Sequence, residues 1–484
     1  MSNTPQTKKG LGTFDFFCVG FGAIVGVGWA VSLNKWMASA GGPVPAALGY
    51  LITLVLMVPV GLCFAELVPM LPVAGGTTAF TYRAFDEKAS YVAGWLTLGA
   101  FLTLMPWEAI YVVDIASILF PALKAGAPLY VLAGSDIYLG HIVVGTIIAL
   151  FFFYINYKGA DLAAGLQKVL CIFLIGVGVL SMVCGLVKFD VNNLMPVYEN
   201  IGTSAHNSMF GGILAILASA PFFLAGFETI PQGIEDAGGD VASVGKTVVL
   251  SVVLACVFYA ILLFCFGYAW KWQEFAHMSN PSAATMFKSL YPGAVGGVLY
   301  WLITLGAIAG LFTTWNGFFM ASASLLMAMG RGNLVPGVFA KQNKNGIPVP
   351  GLLVCLLLSL IGPFLGAGLI GSITSFSAAA FVLSWCITSF SLIRLRKIAP
   401  DMERPYKIPG GVAMGGFSAL ITTVVFILLF VPNNPVYMGK TASIMFVGWM
   451  VIGFILYAIS GVQRKAISKA DREAAMFGHA THED

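Results

Sequence analysis

The sequence predicts an all-α membrane protein that crosses the bilayer about twelve times. Hydrophobic residues make up 58% of the 484-residue chain and charged residues only 10%, and the mean hydropathy is +0.89. This composition is typical of polytopic membrane proteins. The apolar residues also fall into runs of about 20 or more, long enough for a helix to cross the hydrocarbon core. The net charge of +4 is too small to indicate a nucleic-acid partner.

Twelve apolar runs predict twelve membrane-spanning helices. They lie approximately at residues 14–38, 45–70, 91–120, 140–157, 163–187, 209–233, 247–270, 295–329, 349–371, 373–395, 412–431 and 442–461. Between the second and third runs, residues 77–89 predict a short amphipathic helix on the membrane surface.

The distribution of lysine and arginine predicts the orientation. With a cytoplasmic N-terminus, 19 of the 25 basic residues fall in cytoplasmic segments and 6 in segments on the other side. Such an excess is typical of cytoplasmic segments. The sequence therefore predicts a multi-pass protein of the cytoplasmic (inner) membrane with both termini in the cytoplasm.

Two apolar runs contain residues that interrupt a helix. The first run has four glycines within residues 20–28, each of which costs a helix about 1 kcal/mol relative to alanine. The sixth run contains Pro221, Gly226 and Glu228. Irregular backbone in a membrane survives where protein or a polar cavity satisfies its polar groups, although glycines also permit close helix packing.

An interrupted helix early in each of two halves is typical of inverted-repeat transporters, whose binding site lies near the middle of the membrane. The chain is thereby divided into a cytoplasmic N-terminal segment, a first and a second inverted five-helix repeat, a cytoplasmic loop, helices eleven and twelve, and a cytoplasmic tail. The corresponding residues are 1–13, 14–187, 209–395, 396–411, 412–461 and 462–484.

Five motif regions follow one another along nearly the whole chain. They are the glycine-rich break at 22–28, the segment 65–85 with Ala65-Glu66-Leu67, the turn at 156–159, and residues 327–336 and 395–410. In this order they resemble the amino acid–polyamine–organocation superfamily, the amino acid permeases. The resemblance implies a five-plus-five inverted repeat with discontinuous helices one and six and two extra C-terminal helices. It also implies secondary transport by alternating access rather than enzymatic activity.

The resemblance further implies a substrate site between helices one and six. In the family, the substrate carboxylate contacts amides of the first break, and its amine contacts carbonyls of both breaks. The matching residues are Ala23, Ile24, Gly26, Val27, Gly28, Phe222, Leu224, Ala225 and Gly226. Phe222 falls where relatives place a gating aromatic residue. Trp29 departs from the family, and its ring is expected either to face a cationic substrate or to pack between helices.

Four acidic residues lie within the apolar runs, where charged side chains are costly and often functional. Glu108, midway along the third run, is predicted to contact a cationic substrate group, with a buried structural acid as the alternative. Glu228 matches an acid of proton-coupled relatives and is predicted to titrate. Asp114 is expected to have a vestibule or structural role, and Glu66 to make a structural contact with a basic loop.

The coupling ion stays open between proton and sodium. Some family members use a buried lysine seven residues after a glutamine. Counted from Gln167, that position is Leu174, so this device is absent. Sodium-coupled members use hydroxyl groups on helix eight. The available ones are Thr313, Thr314, Ser322 and Ser324, of which Ser322 and Ser324 form the candidate ion site.

These features predict a permease for an amino acid or small organic amine with a cationic group, working by proton coupling or exchange. The alternatives are a neutral amino acid exchanger, a sodium-coupled amino acid symporter and, from another class, a membrane sensor on the same fold. The eight cysteines lie in apolar runs without metal or disulfide spacing, so no metal, cofactor or disulfide is expected. No obligatory partner subunit is expected either, because no cysteine lies in an outer loop.

Overall fold

A computed structural model of the chain describes residues 10–202 and 207–478. Its α-helices are α1 (Thr13–Val25), α2 (Gly28–Val31), α3 (Leu33–Ala40), α4 (Pro43–Met70), α5 (Thr77–Ala84), α6 (Glu87–Leu119), α7 (Leu139–Lys158), α8 (Ala160–Val187), α9 (Met209–Ile216), α10 (Ala220–Leu224), α11 (Val241–Ala269), α12 (Trp272–Ala276), α13 (Ser282–Leu290), α14 (Ala294–Arg331), α15 (Val349–Leu365), α16 (Ile370–Ile398), α17 (Gly411–Phe430), α18 (Lys440–Ala466) and α19 (Lys469–Phe477).

Short 3-10 helices and one β-hairpin connect these elements. The 3-10 helices are Pro121–Lys124, Val191–Leu194, Phe227–Thr229, Pro231–Asp236, Gly337–Ala340 and Ala367–Leu369. Strands β1 (Tyr130–Leu132) and β2 (Ser135–Ile137) pair antiparallel between α6 and α7. The sequence predicted no structure for this hairpin.

Ten helical segments of the described chain are long and apolar enough to cross a membrane. The protein is therefore an all-α polytopic membrane protein, as its composition predicts. Two of the twelve predicted runs fall outside this set. The sixth is divided between α9 and α10, and the ninth forms α15, which has 17 residues.

The predicted surface helix at 77–89 is wrong in its length and its environment. α5 ends at Ala84, and the Asp86 side chain caps the next helix by accepting a hydrogen bond from the Ala89 N–H at 2.8 Å. Most of α5 is buried, with Phe80 packed against Phe64 at 6.1 Å between ring centroids. It lies between α6 and α16, so its apolar face packs against protein rather than against lipid.

Long helices pack together in the interior, and α17 and α18 pack on the outside against α4, α6 and α16. α1 contacts α8, α11 and α14, α4 packs along α11, and α6 packs against α14, α15 and α16. In the apolar stretch of α6, 94% of residues are buried in protein, against 17% in α18. α18 therefore presents most of its apolar surface outward, as expected of a lipid-facing helix.

The two ends of the chain are only partly covered by the described residues. The predicted N-terminal segment (1–13) is described from residue 10 and the predicted tail (462–484) up to residue 478, so Lys8 and Lys9 lie outside the described residues. The described part of the tail folds back as α19. Its Arg472 is buried and donates a hydrogen bond of 2.8 Å to the Glu87 carboxylate at the start of α6.

Candidate functional site

The first predicted break is confirmed at the end of α1, the first helix of the described residues. α1 ends at Val25, and the backbone resumes a helix only at Gly28. Between them Gly26 has a φ of 48°, a conformation that glycine adopts at little cost. α14 passes directly beside this break, since a Cβ atom on Gly310 would lie 2.6 Å from the Gly26 carbonyl carbon.

The second break touches the first. α10 ends at Leu224, Ala225 is extended, and Gly226 has a φ of 142°. A Cβ atom on Gly226 would lie 2.6 Å from the Ile24 nitrogen and 2.7 Å from the Ala23 carbonyl carbon. Only glycine therefore allows the two interrupted backbones to approach this closely.

A tyrosine hydroxyl binds the backbone at the end of α1, where carbonyl groups lack helical partners. Tyr259 of α11 donates to the Val25 carbonyl at 2.6 Å and lies 3.2 Å from the Ile24 carbonyl. Nothing in the sequence predicts this contact, because a tyrosine in an apolar run carries no distinguishing local signal.

Two threonines of α14 bind the preceding carbonyls. The Thr313 hydroxyl lies 2.9 Å from the Gly22 carbonyl and the Thr314 hydroxyl 3.4 Å from the Ala23 carbonyl. Both hydroxyls also contact the Gly310 carbonyl of their own helix, at 2.7 and 3.2 Å. The last four carbonyls of α1 are thus each approached by a hydroxyl group. Because a carbonyl oxygen has two lone pairs, each can accept a further hydrogen bond or contact a cation.

A small cavity lies where the two breaks meet α6 and α14. Its volume is about 20 Å³, enough for roughly one water molecule. The predicted residues that line it are Ala23, Ile24, Gly26, Val27, Gly28, Glu108, Phe222 and Ala225. The lining is completed by Thr314, which the sequence offers as a possible ion ligand, and by residues that are not predicted there: Val25, Leu104, Trp107, Phe223 and Phe318. The structure is therefore closed around this central cavity, and an amino acid enters only when the helices move apart.

Aromatic side chains cover the central cavity on the side of α3. Trp107 and Phe222 lie 5.2 Å apart between ring centroids, and Phe223 lies 4.8 Å from Trp36 of α3. Tyr259 packs 5.1 Å from Trp36 and extends this layer. Several large side chains would have to move to open this side.

A wider cavity lies on the opposite side, toward the start of α1. Its volume is about 910 Å³, and it is lined by Phe16 and Val19 of α1 and by Gly317 and Ala321 of α14. The same two helices line the central cavity further along. The molecule is thus more open on the side of the N-terminal half of α1.

Glu108 is buried in the wall of the central cavity. Its residue exposure is 1%, and its Oε2 has no hydrogen-bond partner among the described residues. A buried polar atom without a partner is costly. A ligand with a hydrogen-bond donor or a positive charge would remove that cost.

Glu228 lies beside the second break but does not line the central cavity. Its Oε2 accepts a hydrogen bond of 2.7 Å from the Gly226 N–H, and its Oε1 accepts one from the indole N–H of Trp385 on α16. A backbone N–H and an indole N–H can only donate, so the Glu228 carboxyl group is the acceptor in both bonds. Through these two bonds it links the second break to α16. Trp385 lies 157 residues from Glu228, so the sequence does not predict this hydrogen bond.

Three residues predicted to bind substrate, Trp29, Leu224 and Gly226, do not line the central cavity. Trp29 is fully buried and packs against α14, where its ring would lie 3.3 Å from a Cβ atom on Gly306. Leu224 is also buried and does not line the central cavity. Trp29 thus lies where the packing alternative would place it, between helices.

The candidate ion site at Ser322 and Ser324 is not assembled. Ser322 lies beside the Cys355 thiol of α15, and Ser324 lines the wider cavity. Both are about two turns or more beyond Thr314, at 1.5 Å per residue of α14. Of the four hydroxyls considered, only Thr313 and Thr314 reach the break in α1.

The remaining two acids lie away from the central cavity. Glu66 accepts hydrogen bonds of 2.8 Å from Arg396 and 2.9 Å from the Ile408 N–H, and Arg404 lies 3.4 Å away. The structural contact predicted for Glu66 is confirmed. Asp114 lines a separate cavity of about 230 Å³ near the end of α6.

A family model of amino acid permeases matches residues 11–456, nearly the whole chain. The chain belongs to the amino acid permease family. The permease is 22% identical over 463 residues to the branched-chain amino acid permease BcaP of Bacillus subtilis (strain 168), covering 94% of each chain.

Other relatives are named for different substrates. The aspartate-proton symporter of Bacillus subtilis (strain 168) is 24% identical over 438 residues, which cover 88% of the permease and 80% of that protein. A probable polyamine transporter of Arabidopsis thaliana is 25% identical over 442 residues, covering 86% and 80%. The permease is a membrane-embedded transporter of a small molecule and not an enzyme.

Proposed function

We propose that the permease transports an amino acid or small organic amine with a positively charged group, and that Glu108 contacts this group. The observation that carries the proposal is the buried, unpartnered Oε2 of Glu108 in the central cavity. Among the described residues lining that cavity there is no lysine or arginine. A cationic substrate would supply a charge-assisted hydrogen bond to this oxygen.

The breaks would bind the rest of an amino acid. The backbone N–H groups of Val27 and Gly28 can donate to its carboxylate, because α1 ends at Val25 and α2 begins only at Gly28. Its ammonium can lie at carbonyls of Ala23 and Ala225, which line the central cavity. Trp107 and Phe222 would cover the bound substrate on the side of α3.

The two sides of the site are closed to different extents, as expected of one state of an alternating-access transporter. In the proposed five-plus-five inverted repeat, α4 and α11 are the second helices of the two halves, and they pack along each other. With both termini in the cytoplasm, as the basic residues predict, the wider cavity faces the cytoplasm of the cell. The aromatic layer then closes the outer side of the site in the cytoplasmic membrane.

Coupling to a proton is the preferred mechanism, with Glu228 as the titrating group. Its carboxyl group links the second break to α16, so a proton on it would weaken the contact between the break and α16. The aspartate-proton symporter among the relatives supports this choice. No obligatory partner subunit is part of the proposal.

A sodium-coupled symporter is a second candidate. The oxygens of Thr313 and Thr314 and the carbonyls of Gly22 and Ala23 converge beside the first break, and hard cations prefer oxygen ligands. These threonines replace Ser322 and Ser324 as the candidate ion site. Uptake into proteoliposomes with and without a sodium gradient separates this mechanism from proton coupling.

Transport of a neutral amino acid by exchange is the alternative in which Glu108 is structural, and the branched-chain permease among the relatives favours it. Thermal shift of the purified permease with lysine, arginine, putrescine and leucine, together with uptake of those that bind, tests the two substrate classes. A ligand that binds only the folded state raises the melting temperature.

We expect Glu108→Gln to weaken binding of the cationic ligand about 10- to 100-fold, because hydrogen bonds to charged groups contribute about 1.5 to 3 kcal/mol. Glu403→Gln is the matched control, since Glu403 is exposed in a loop. Stabilisation by leucine alone, unchanged in Glu108→Gln, would contradict a cationic substrate.

A further inference from the structure

A second cavity lies against a different face of α6 from the central one. Its volume is about 230 Å³, equal to the liquid volume of roughly eight water molecules. Asp114 on α6, Lys124, Asp136 on β2 and His141 on α7 contribute to its lining. We call it the peripheral cavity.

The β-hairpin forms one wall of the peripheral cavity and is fixed in place. The Tyr130 hydroxyl donates to the Phe364 carbonyl at 2.8 Å, and the Gly368 N–H donates to the Ser135 hydroxyl oxygen at 2.9 Å. These two bonds attach the hairpin to the end of α15 and the turn that follows it. The wall that the hairpin contributes to the peripheral cavity is therefore held in position by hydrogen bonds to neighbouring elements.

Charged groups of both signs face the peripheral cavity without pairing. Asp114 is half-buried in the inner wall, whereas Lys124 and Asp136 are exposed at the mouth. Among the described residues, none makes a direct ion pair or hydrogen bond with these three side chains. Lys124 and Lys35 attract the Asp114 carboxylate electrostatically from a longer distance. His141 is buried, and its Nε2 lies 2.9 Å from the Ser117 hydroxyl.

We infer that the peripheral cavity binds an amino acid with a cationic side chain. The side-chain cation lies at Asp114 on the inner wall, and the ammonium and carboxylate of the ligand lie at Asp136 and Lys124 at the mouth. Two acids and one base complement the two cations and one anion of such a molecule. No group of histidine, cysteine and acidic residues in the described ranges is arranged to hold a metal ion, which favours an organic cation.

A hydrogen bond between α3 and α6 lies near the peripheral cavity. Lys35 of α3 donates to the Tyr111 hydroxyl at 3.3 Å, and Tyr111 precedes Asp114 by about one helical turn. The inference goes beyond the proposed function and does not depend on Glu108, because the two cavities share no titratable side chain.

Equilibrium binding of radiolabelled L-lysine to the purified full-length permease tests this inference. We expect two equivalents to bind to the wild type. Asp136→Asn and, independently, Lys124→Met should weaken one equivalent at least 10-fold and leave the other unchanged. Glu274→Gln is the matched control, because Glu274 is an exposed acid outside the peripheral cavity. Norleucine, which lacks the side-chain ammonium, should compete poorly for the affected equivalent.

The possible failures are distinguishable. Two equivalents in Glu108→Gln, with one lost in Asp136→Asn, would contradict the proposed function of Glu108 and support the peripheral cavity. A wild type that binds no lysine, or one or two equivalents that persist unchanged in both Asp136→Asn and Lys124→Met, would overturn the peripheral site. A single wild-type equivalent that is weakened in both variants would support the peripheral site and contradict a cationic substrate in the central cavity. The equivalent that each variant retains shows that the variant is folded.

Discussion

The surroundings of Glu66 and Glu108 differ although both residues are buried in apolar helices. Glu66 is bound by Arg396, Arg404 and the Ile408 N–H, whereas Oε2 of Glu108 has no partner among the described residues. A buried carboxylate with paired charges and hydrogen bonds holds its neighbours in one arrangement. One without a partner faces a cavity and is available to a ligand. Burial of an acid alone thus does not distinguish a structural role from binding.

The largest expected effect is on stability, from Glu66→Ala. Removing one partner of a buried ion pair costs about 3 to 5 kcal/mol, and here it leaves Arg396 and Arg404 without their carboxylate. We expect a clearly lower melting temperature and less folded protein. Glu403→Gln should behave as the wild type, and an unchanged melting temperature in Glu66→Ala would remove the distinction between the two acids.

Gly226→Ala should disrupt the central cavity itself. The added Cβ atom would lie 2.6 Å from the Ile24 nitrogen, and the backbone conformation costs a non-glycine residue about 1 to 3 kcal/mol. We expect transport in proteoliposomes to be lost while the protein still folds. The control is Gly239→Ala, since nothing lies within 4 Å of a Cβ atom at Gly239. Normal transport by Gly226→Ala would show that the two breaks need not touch.

Glu228 resembles Glu66 because both of its carboxyl oxygens accept hydrogen bonds, but it resembles Glu108 because no charged group among the described residues binds it. If it carries the coupled proton, wild-type uptake rises as the external pH falls, and Glu228→Gln makes uptake independent of pH. Trp385→Phe removes one of two hydrogen bonds, worth about 1.5 to 3 kcal/mol when the acceptor is charged, and should shift the pH profile without abolishing it. A profile that is the same in all three proteins would assign Glu228 to the structural group with Glu66.

The smallest effect is expected for Tyr259→Phe. It removes the hydroxyl that binds the Val25 carbonyl, and one hydrogen bond contributes about 1 kcal/mol, equivalent to a roughly fivefold weaker ligand affinity. Tyr50→Phe is a close control, because Tyr50 lies 5.1 Å from Tyr259 and its hydroxyl has no hydrogen-bond partner among the described residues. Equal affinities of the two variants would show that Tyr259 does not support the break.

The fold class and the breaks were predictable because both depend on local composition. Runs of apolar residues determine which segments enter lipid, and Gly26 and Gly226 interrupt helices wherever these pack. The contact of Glu66 with a basic loop was also predicted, through a motif. By contrast, α5 was placed on the membrane surface, although it is buried between helices.

The sequence alone determined that the chain is a polytopic helical protein with two interrupted helices and acids at membrane depth. Only the tertiary structure decided that Glu108 faces a cavity, that Trp29 packs against α14, and that Trp385 binds Glu228. The reason is physical. Interior membrane helices are apolar on all sides, so their sequence does not show which face meets a neighbour. That choice is made by contacts between residues hundreds of positions apart.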